Sequence, residues 1–288
     1  MLCFSSVPLF LKYFTRSLDA YTQNSYRYTV AACVWLPAVL LGLRRGLLKR
    51  NVLVRLLAPA AINTVMQTFW ASSIYYLEPG MMNLLVQFNV IPSTLLGICL
   101  FKEERGLLGS KRYWLGVAMC LSGVVMTLVF KQGFRSDATM RGFGLIMGAA
   151  VFWALYLVSV RANVRGRSTI LTFGVIAVYT AVGCNLIAVF FGSPSRILSL
   201  QPHMHLLVIA SALTGIAIAH VCYYRAIARI GVAICAGAYL ANPFITALLS
   251  RSIYGEHLAA LQWVGGAILV SGAALLLWAQ NKLRKAET

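Results

Sequence analysis

Charged residues cut this chain into long stretches that carry none, and that spacing constrains the fold more than any other feature. The charge-free runs are 56–77, 79–101, 113–130, 142–160, 168–195, 197–224, 230–250 and 258–281. A shorter run, 28–43, is flanked by Arg27 and Arg44. A hydrocarbon core about 30 Å thick takes roughly 17–25 helical residues to cross. Eight runs reach that length, and 28–43 nearly does if Arg27 snorkels outward. Only 11% of the 288 residues are charged, against about 25% in a soluble domain. That leaves too little polar material to clothe nine such blocks in water. The ten-residue alternation of a membrane barrel is absent. These runs predict an all-α polytopic membrane protein.

The formal net charge of +18 then has a topological reading. With a cytoplasmic N-terminus and ten crossings, 17 of the 25 basic residues fall on the inner side. They include Arg44, Arg45, Lys49, Lys111, Arg112 and the tail residues Lys282, Arg284 and Lys285. The outer side receives eight, among them Lys12, Arg16, Arg27, Arg196 and Arg251. This is the positive-inside asymmetry. It leaves nucleic-acid binding without a role, since no basic stripe with interleaved aromatics lies outside the membrane. The expected location is a bacterial plasma (inner) membrane with the C-terminus cytoplasmic, and the lipid bilayer is the expected surrounding partner.

The chain also repeats itself. Leu115-Gly116-Val117-Ala118-Met119-Cys120-Leu121-Ser122-Gly123 aligns with Val264-Gly265-Gly266-Ala267-Ile268-Leu269-Val270-Ser271-Gly272 at an offset of 149. Leu56-Leu57 aligns with Leu206-Leu207 at 150, and Pro92 with Pro243 at 151. Each half holds five segments, an odd number, so the halves insert with opposite orientation, as in inverted-repeat transporters. The division is a first repeat over 1–130, an external linker over 131–141, a second repeat over 142–281 and a basic cytoplasmic tail over 282–288. Aligning Phe152 with Phe4 shows helix 1 starting about eight residues late. Met1–Leu11 spans roughly half a bilayer, so helix 1 is expected to be shortened at its N-terminus. An incomplete N-terminus or a late start explains this better than a signal peptide, for which the basic leading region is absent.

Several of these residues resemble a known family. Ser6–Phe14 with Lys12, then Tyr26-Arg27-Tyr28, look like the opening of an EamA-type repeat. Asn242-Pro243-Phe244, Gly255-Glu256-His257, Val264-Gly265 and Ser271-Gly272 look like its close, and Tyr223-Tyr224-Arg225-Ala226 like the end of its third helix. The chain is similar throughout to the EamA-like family of the drug/metabolite transporter superfamily. The resemblance implies two repeats, ten helices and a central cavity. It departs at the shortened helix 1, at Lys102-Glu103-Glu104-Arg105 in place of a Gly-Glu pair, and at Cys3–Ser6.

Polar groups inside hydrocarbon are costly and usually face the bundle interior. Asn63 and Gln67 share a helical face, as do Asn83 and Gln87. With Trp70, Trp153, Tyr156, Tyr223, Tyr239 and Asn242 they are the candidate substrate-cavity lining. For each residue the competing role is a hydrogen bond between helices. Pro92 and Pro243 each remove a helix hydrogen bond and are expected to kink helices 4 and 9. His220 is the one histidine deep in a membrane run and is the candidate for proton coupling, against a neutral structural role. The small-residue pairs Gly144/Gly148 and Gly237/Ala241 suit close packing within the monomer, with homodimerisation as the second reading.

All seven acids fall at predicted membrane edges, loops or the tail. Without a buried carboxylate to meet a cation, the substrate is expected to be neutral, zwitterionic or anionic. No HExxH, paired intramembrane Asp, GxSxG, P-loop or GxGxxG motif occurs, so neither an enzyme nor a self-powered pump is expected. No metal site or cofactor is expected. The reading is a secondary transporter moving a small organic metabolite, amino acid-like or a related solute, by alternating access and outward. The alternatives are a non-transporting membrane receptor or scaffold and, among transporters, a nucleotide-sugar-type exchanger.

Overall fold

A computed structural model describes residues 2–100, 102–131, 136–164, 168–220, 222 and 240–286. Its helices are α1 (Leu2–Phe14), α2 (Ala20–Arg44), α3 (Arg50–Ser73), α4 (Pro79–Leu100) and α5 (Lys111–Val129) in the first half. The second half holds α6 (Asp137–Val164), α7 (Thr169–Phe191), α8 (Pro202–Ile218), α9 (Asn242–Tyr254) and α10 (Ala260–Ala286). Seven of these ten are long and apolar enough to cross a membrane, and α1 and α8 are shorter apolar helices. No strand occurs among the described residues. Large apolar side chains stand exposed around the periphery, Leu40, Val182, Leu186 and Phe190 among them. Soluble monomers rarely present such a surface, whereas lipid accepts it.

Local chemistry sets the helix ends. Asp19 caps α2, its carboxylate accepting from the backbone N–H groups of Tyr21 and Thr22. It also accepts from the N–H of Ser193, tying the start of α2 to the end of α7. Ser110 caps α5 through the N–H of Tyr113. Pro79, Pro202 and Pro243 open α4, α8 and α9, where a missing N–H costs no helix bond. Gly255, with φ of 66°, closes α9 in the left-handed conformation.

The two halves pack on one another as equivalent partners. α5 packs along α10, its own counterpart in the repeat, and α2 packs along α7 in the same way. The repeated glycines make the first seam. A Cβ on Gly123 would lie 2.5 Å from the backbone nitrogen of Leu269 and 2.7 Å from the carbonyl oxygen of Gly265. A Cβ on Gly272 would lie 2.8 Å from the nitrogen of Cys120 and from the oxygen of Gly116. The four glycines that align at one offset therefore meet across the interface, where bare backbone is what lets the helices touch.

Several boundaries differ from the sequence reading. α2 begins at Ala20, so Arg27 lies two turns inside a helix rather than at its outer edge. Residues 282–286 of the basic tail continue α10 as helix. Pro243 sits in the first turn of α9 rather than in its interior, so it breaks no bond within that helix. Gly144 has open space beside it, while Gly148 packs on the Phe69 ring. Gly237 lies outside the described residues.

Candidate functional site

Where the halves meet, the helices part around a narrow cavity of about 60 Å³. Phe4 and Val7 of α1, Gln67 and Trp70 of α3, and Trp153 of α6 contribute to its wall. Asn242 lines it from the first turn of α9. Aromatic faces thus alternate with amides, the mixture expected of a small-molecule site.

Two departures from regular α-helix face this space. α4 tightens into a 3-10 turn at Val86–Asn89, just before Pro92. At three residues per turn, Val86 and Asn89 share one face, and they line the cavity together with Asn83 of the preceding α-helical turn. α8 widens into a π-helical stretch at Leu213–Ile218, and Gly215, Ile216 and His220 line the cavity from there. Such π segments are frequent at functional sites. Gly215 is required by its neighbours, since a Cβ there would lie 2.5 Å from Val7 Cγ2 and 3.5 Å from Arg27 Nη2.

Among the described residues Arg27 is the largest fully buried side chain, at 1% exposure, and it lines the cavity. Its Nε donates to Ser211 Oγ at 3.0 Å. Its Nη1 is buried and has no hydrogen-bond partner. Among the described residues the one ion pair is Lys12–Glu78 at 3.2 Å, at the far end of α1, so no carboxylate of the described chain pairs with this guanidinium. Tyr28 follows it into the cavity wall.

A buried polar network holds the opposite wall. Ser5 Oγ donates to Asn242 Oδ1. Asn83 Nδ2 donates to Thr246 Oγ1 at 2.6 Å, and Thr246 Oγ1 lies 3.0 Å from the Ser5 carbonyl. The network joins α1, α4 and α9 beside the cavity. Glu256 anchors α4 from the second half: its two oxygens accept from the N–H groups of Gly80 at 2.8 Å and Met81 at 3.0 Å. A carboxylate at a helix N-terminus meets both unpaired donors and the positive end of the helix dipole.

The structure gathers Gln67, Trp70, Asn83, Trp153, Asn242 and His220 around one space. It sends three predicted residues elsewhere. Asn63 donates to Thr180 Oγ1 at 3.0 Å and to Tyr28 Oη at 3.4 Å, fastening α3 to α7 and α2. Tyr156 packs in an apolar cluster with Val39, Leu56 and Val175. Gln87 is buried off the cavity with its Nε2 unpartnered. The 3-10 turn rotates it away from Asn83, which a continuous α-helix would have kept on its face. Tyr223 and Tyr239 lie outside the described residues. His220 Nδ1 is 2.9 Å from the Ile216 carbonyl oxygen, and its ring stacks on Phe173 with centroids 4.8 Å apart.

Arg27 was the residue that charge-run counting misplaced. The signal that finds it is Asp19, a helix-capping residue that starts α2 eight positions earlier. Asn89 needed the 3-10 turn, and Gly215 needed the π stretch; neither is written in residue spacing.

Moving along α1 from Phe4 and Val7, and along α8 from Gly215 and Ser211, the next residues are Phe10, Phe14, Met204 and Val208, which pack with Leu18 into one apolar cluster. Beyond it Tyr26 Oη pairs with His205 Nδ1 at 2.8 Å, and a surface depression is rimmed by Arg16, Arg196 and His203.

The chain's relatives bear on what this cavity is for. The profile of the EamA-like transporter family matches residues 1–129 and 140–278. The chain belongs to that family. Both repeats are matched, so the five-helix halves described above are the family's repeating unit. An uncharacterized transporter from Methanothermobacter thermautotrophicus is 24% identical over 236 residues, covering 80% of this chain and 66% of that protein's own length. A solved crystal structure shares the fold with a TM-score of 0.59 and 20% identity, covering 96% of this chain and 95% of that chain. This is an integral, multi-pass membrane protein of a transporter family, in which a small-molecule cargo and a lipid surrounding are the expectation.

Proposed function

We propose that this protein is a secondary transporter that carries a small organic metabolite through the cavity by alternating access, in the outward direction. The observation that carries the reading is one polar and aromatic cavity at the junction of two equivalent halves, with the Phe14, Leu18, Met204 and Val208 cluster next along α1 and α8. On the orientation favoured by the basic residues, that cluster lies on the outer side, and in this reading it closes the cavity there while the solute loads from the cytoplasm. Rocking of one half against the other then exchanges the closed end for the open one.

His220, at the same cavity with Arg27, is the group available for proton coupling. His220→Gln then removes the pH dependence of transport while the protein still binds its solute; an unchanged pH profile removes this coupling.

Counterflow of a labelled metabolite panel in proteoliposomes tests the main reading. Exchange of at least one solute by the wild-type protein, lost in Gly215→Leu, is the expected result. Specific binding with no exchange of any solute would make the protein a receptor instead.

A further inference from the structure

We propose that Arg27 anchors a carboxylate on the transported solute, so that the cavity is selective for small monoanionic organic acids. This rests on the reading of the cavity as the substrate site and narrows it to one charge class.

A guanidinium cannot shed its proton to escape burial, so a buried arginine needs an anion or a full set of acceptors. Arg27 has neither. Ser211 takes its Nε–H, Nη1 is buried without a partner, and the residue lines the cavity. Among the described residues that line the cavity, Arg27 is the one permanent cation and none is an acid. An occupant with a single negative charge therefore makes the filled cavity neutral. The guanidinium edge is the group best shaped for a carboxylate, and desolvation inside the bundle strengthens the pairing.

The rest of the cavity fits such an occupant. Gly215, by lacking a Cβ, lets Val7 and Arg27 Nη2 lie close against the π stretch of α8. Asn83 and Gln67 supply amides that either donate or accept, and Trp70 and Trp153 supply apolar faces. An uncharged solute would leave Arg27 unpaired. A cation would add a second positive charge to the same space.

A purely structural role, as a tie between α2 and α8 through Ser211, makes the opposite stability prediction. Removing a tie loosens the fold, whereas removing an unpaired buried charge relieves it.

The test uses the purified full-length protein and matched probes. Phenylacetate and lactate are compared with their uncharged twins phenylacetamide and lactamide, and with phenethylamine as a cation, by thermal stability and by competition binding. The expected result is stabilisation by the acids, with at least ten-fold weaker binding of the amides and the amine. Arg27→Gln then loses the response to the acids and melts higher than the wild type without ligand, while Arg27→Lys keeps part of the response. Equal binding of acids and amides by the wild type, with Arg27→Gln unchanged, overturns the anchor but leaves the cavity as the binding site. An Arg27→Gln protein that melts lower and still prefers acids assigns Arg27 to structure alone and overturns the proposal. No binding of any probe, whatever its charge, overturns both the anchor and the cavity reading. The acid-over-amide preference of the wild type needs no variant, so the proposal stands or falls even if Arg27→Gln does not fold.

Discussion

The seam between α5 and α10 and the cavity between α2, α4 and α8 are built from the same two repeats by opposite rules. At the seam, regular helices meet through Gly116, Gly123, Gly265 and Gly272, and backbone touches backbone. At the cavity, α4 tightens and α8 widens, an arginine is buried without an acid, and Asn83 and Asn242 are held by a small polar network. The seam has no slack, so it can hold the halves together while other contacts change. The cavity carries the irregular and unsatisfied groups that a ligand can complete. Stability and function are thus assigned to different helix pairs.

The largest expected effect attacks the seam. Gly123→Ala places a Cβ against backbone atoms that cannot swing aside. We expect it to cost roughly 1–3 kcal/mol, read as a fall in melting temperature, and Gly123→Leu to give no folded protein. Gly144→Ala, beside open space, is the matched control and should be near neutral. If both alanines behaved alike, the seam would not be special.

Glu256→Gln comes next. It keeps one acceptor for the N–H groups of Gly80 and Met81 but removes the charge at the start of α4. A loss of about 1 kcal/mol is expected, with the solute's binding preference unchanged. The smallest effect separates two neighbours on α4. Asn89→Ala should weaken transport several-fold because Asn89 lines the cavity. Gln87→Met should leave transport intact and be neutral or stabilising, since the Nε2 of Gln87 is buried without a partner. Reversed outcomes would mean that the 3-10 turn is not the working form of α4.

Fold and site were unequally legible in the sequence. Charge-free runs locate helices because any charge in lipid is costly, and the glycine offset locates the seam because close backbones need glycine at fixed intervals. Asp19 would have placed the start of α2, but a count of charge-free residues treats Arg27 as a boundary and so expels it from the bundle. Asn63 and Gln67 do lie on one face of α3, yet only Gln67 reaches the cavity because Tyr28 and Thr180 occupy Asn63. Gln87 was assigned by a period of 3.6 that α4 abandons near Pro92. Spacing rules fail where the helices themselves are irregular, which is where the cavity lies.

The most direct measurement is the position of a bromine-labelled carboxylate, 4-bromophenylacetate, bound to the protein, found by anomalous scattering. The carboxylate is expected about 3 Å from the Arg27 guanidinium, with the ring between Trp70 and Trp153. A carboxylate bound elsewhere in the bundle, with Arg27 still unpartnered, would contradict it.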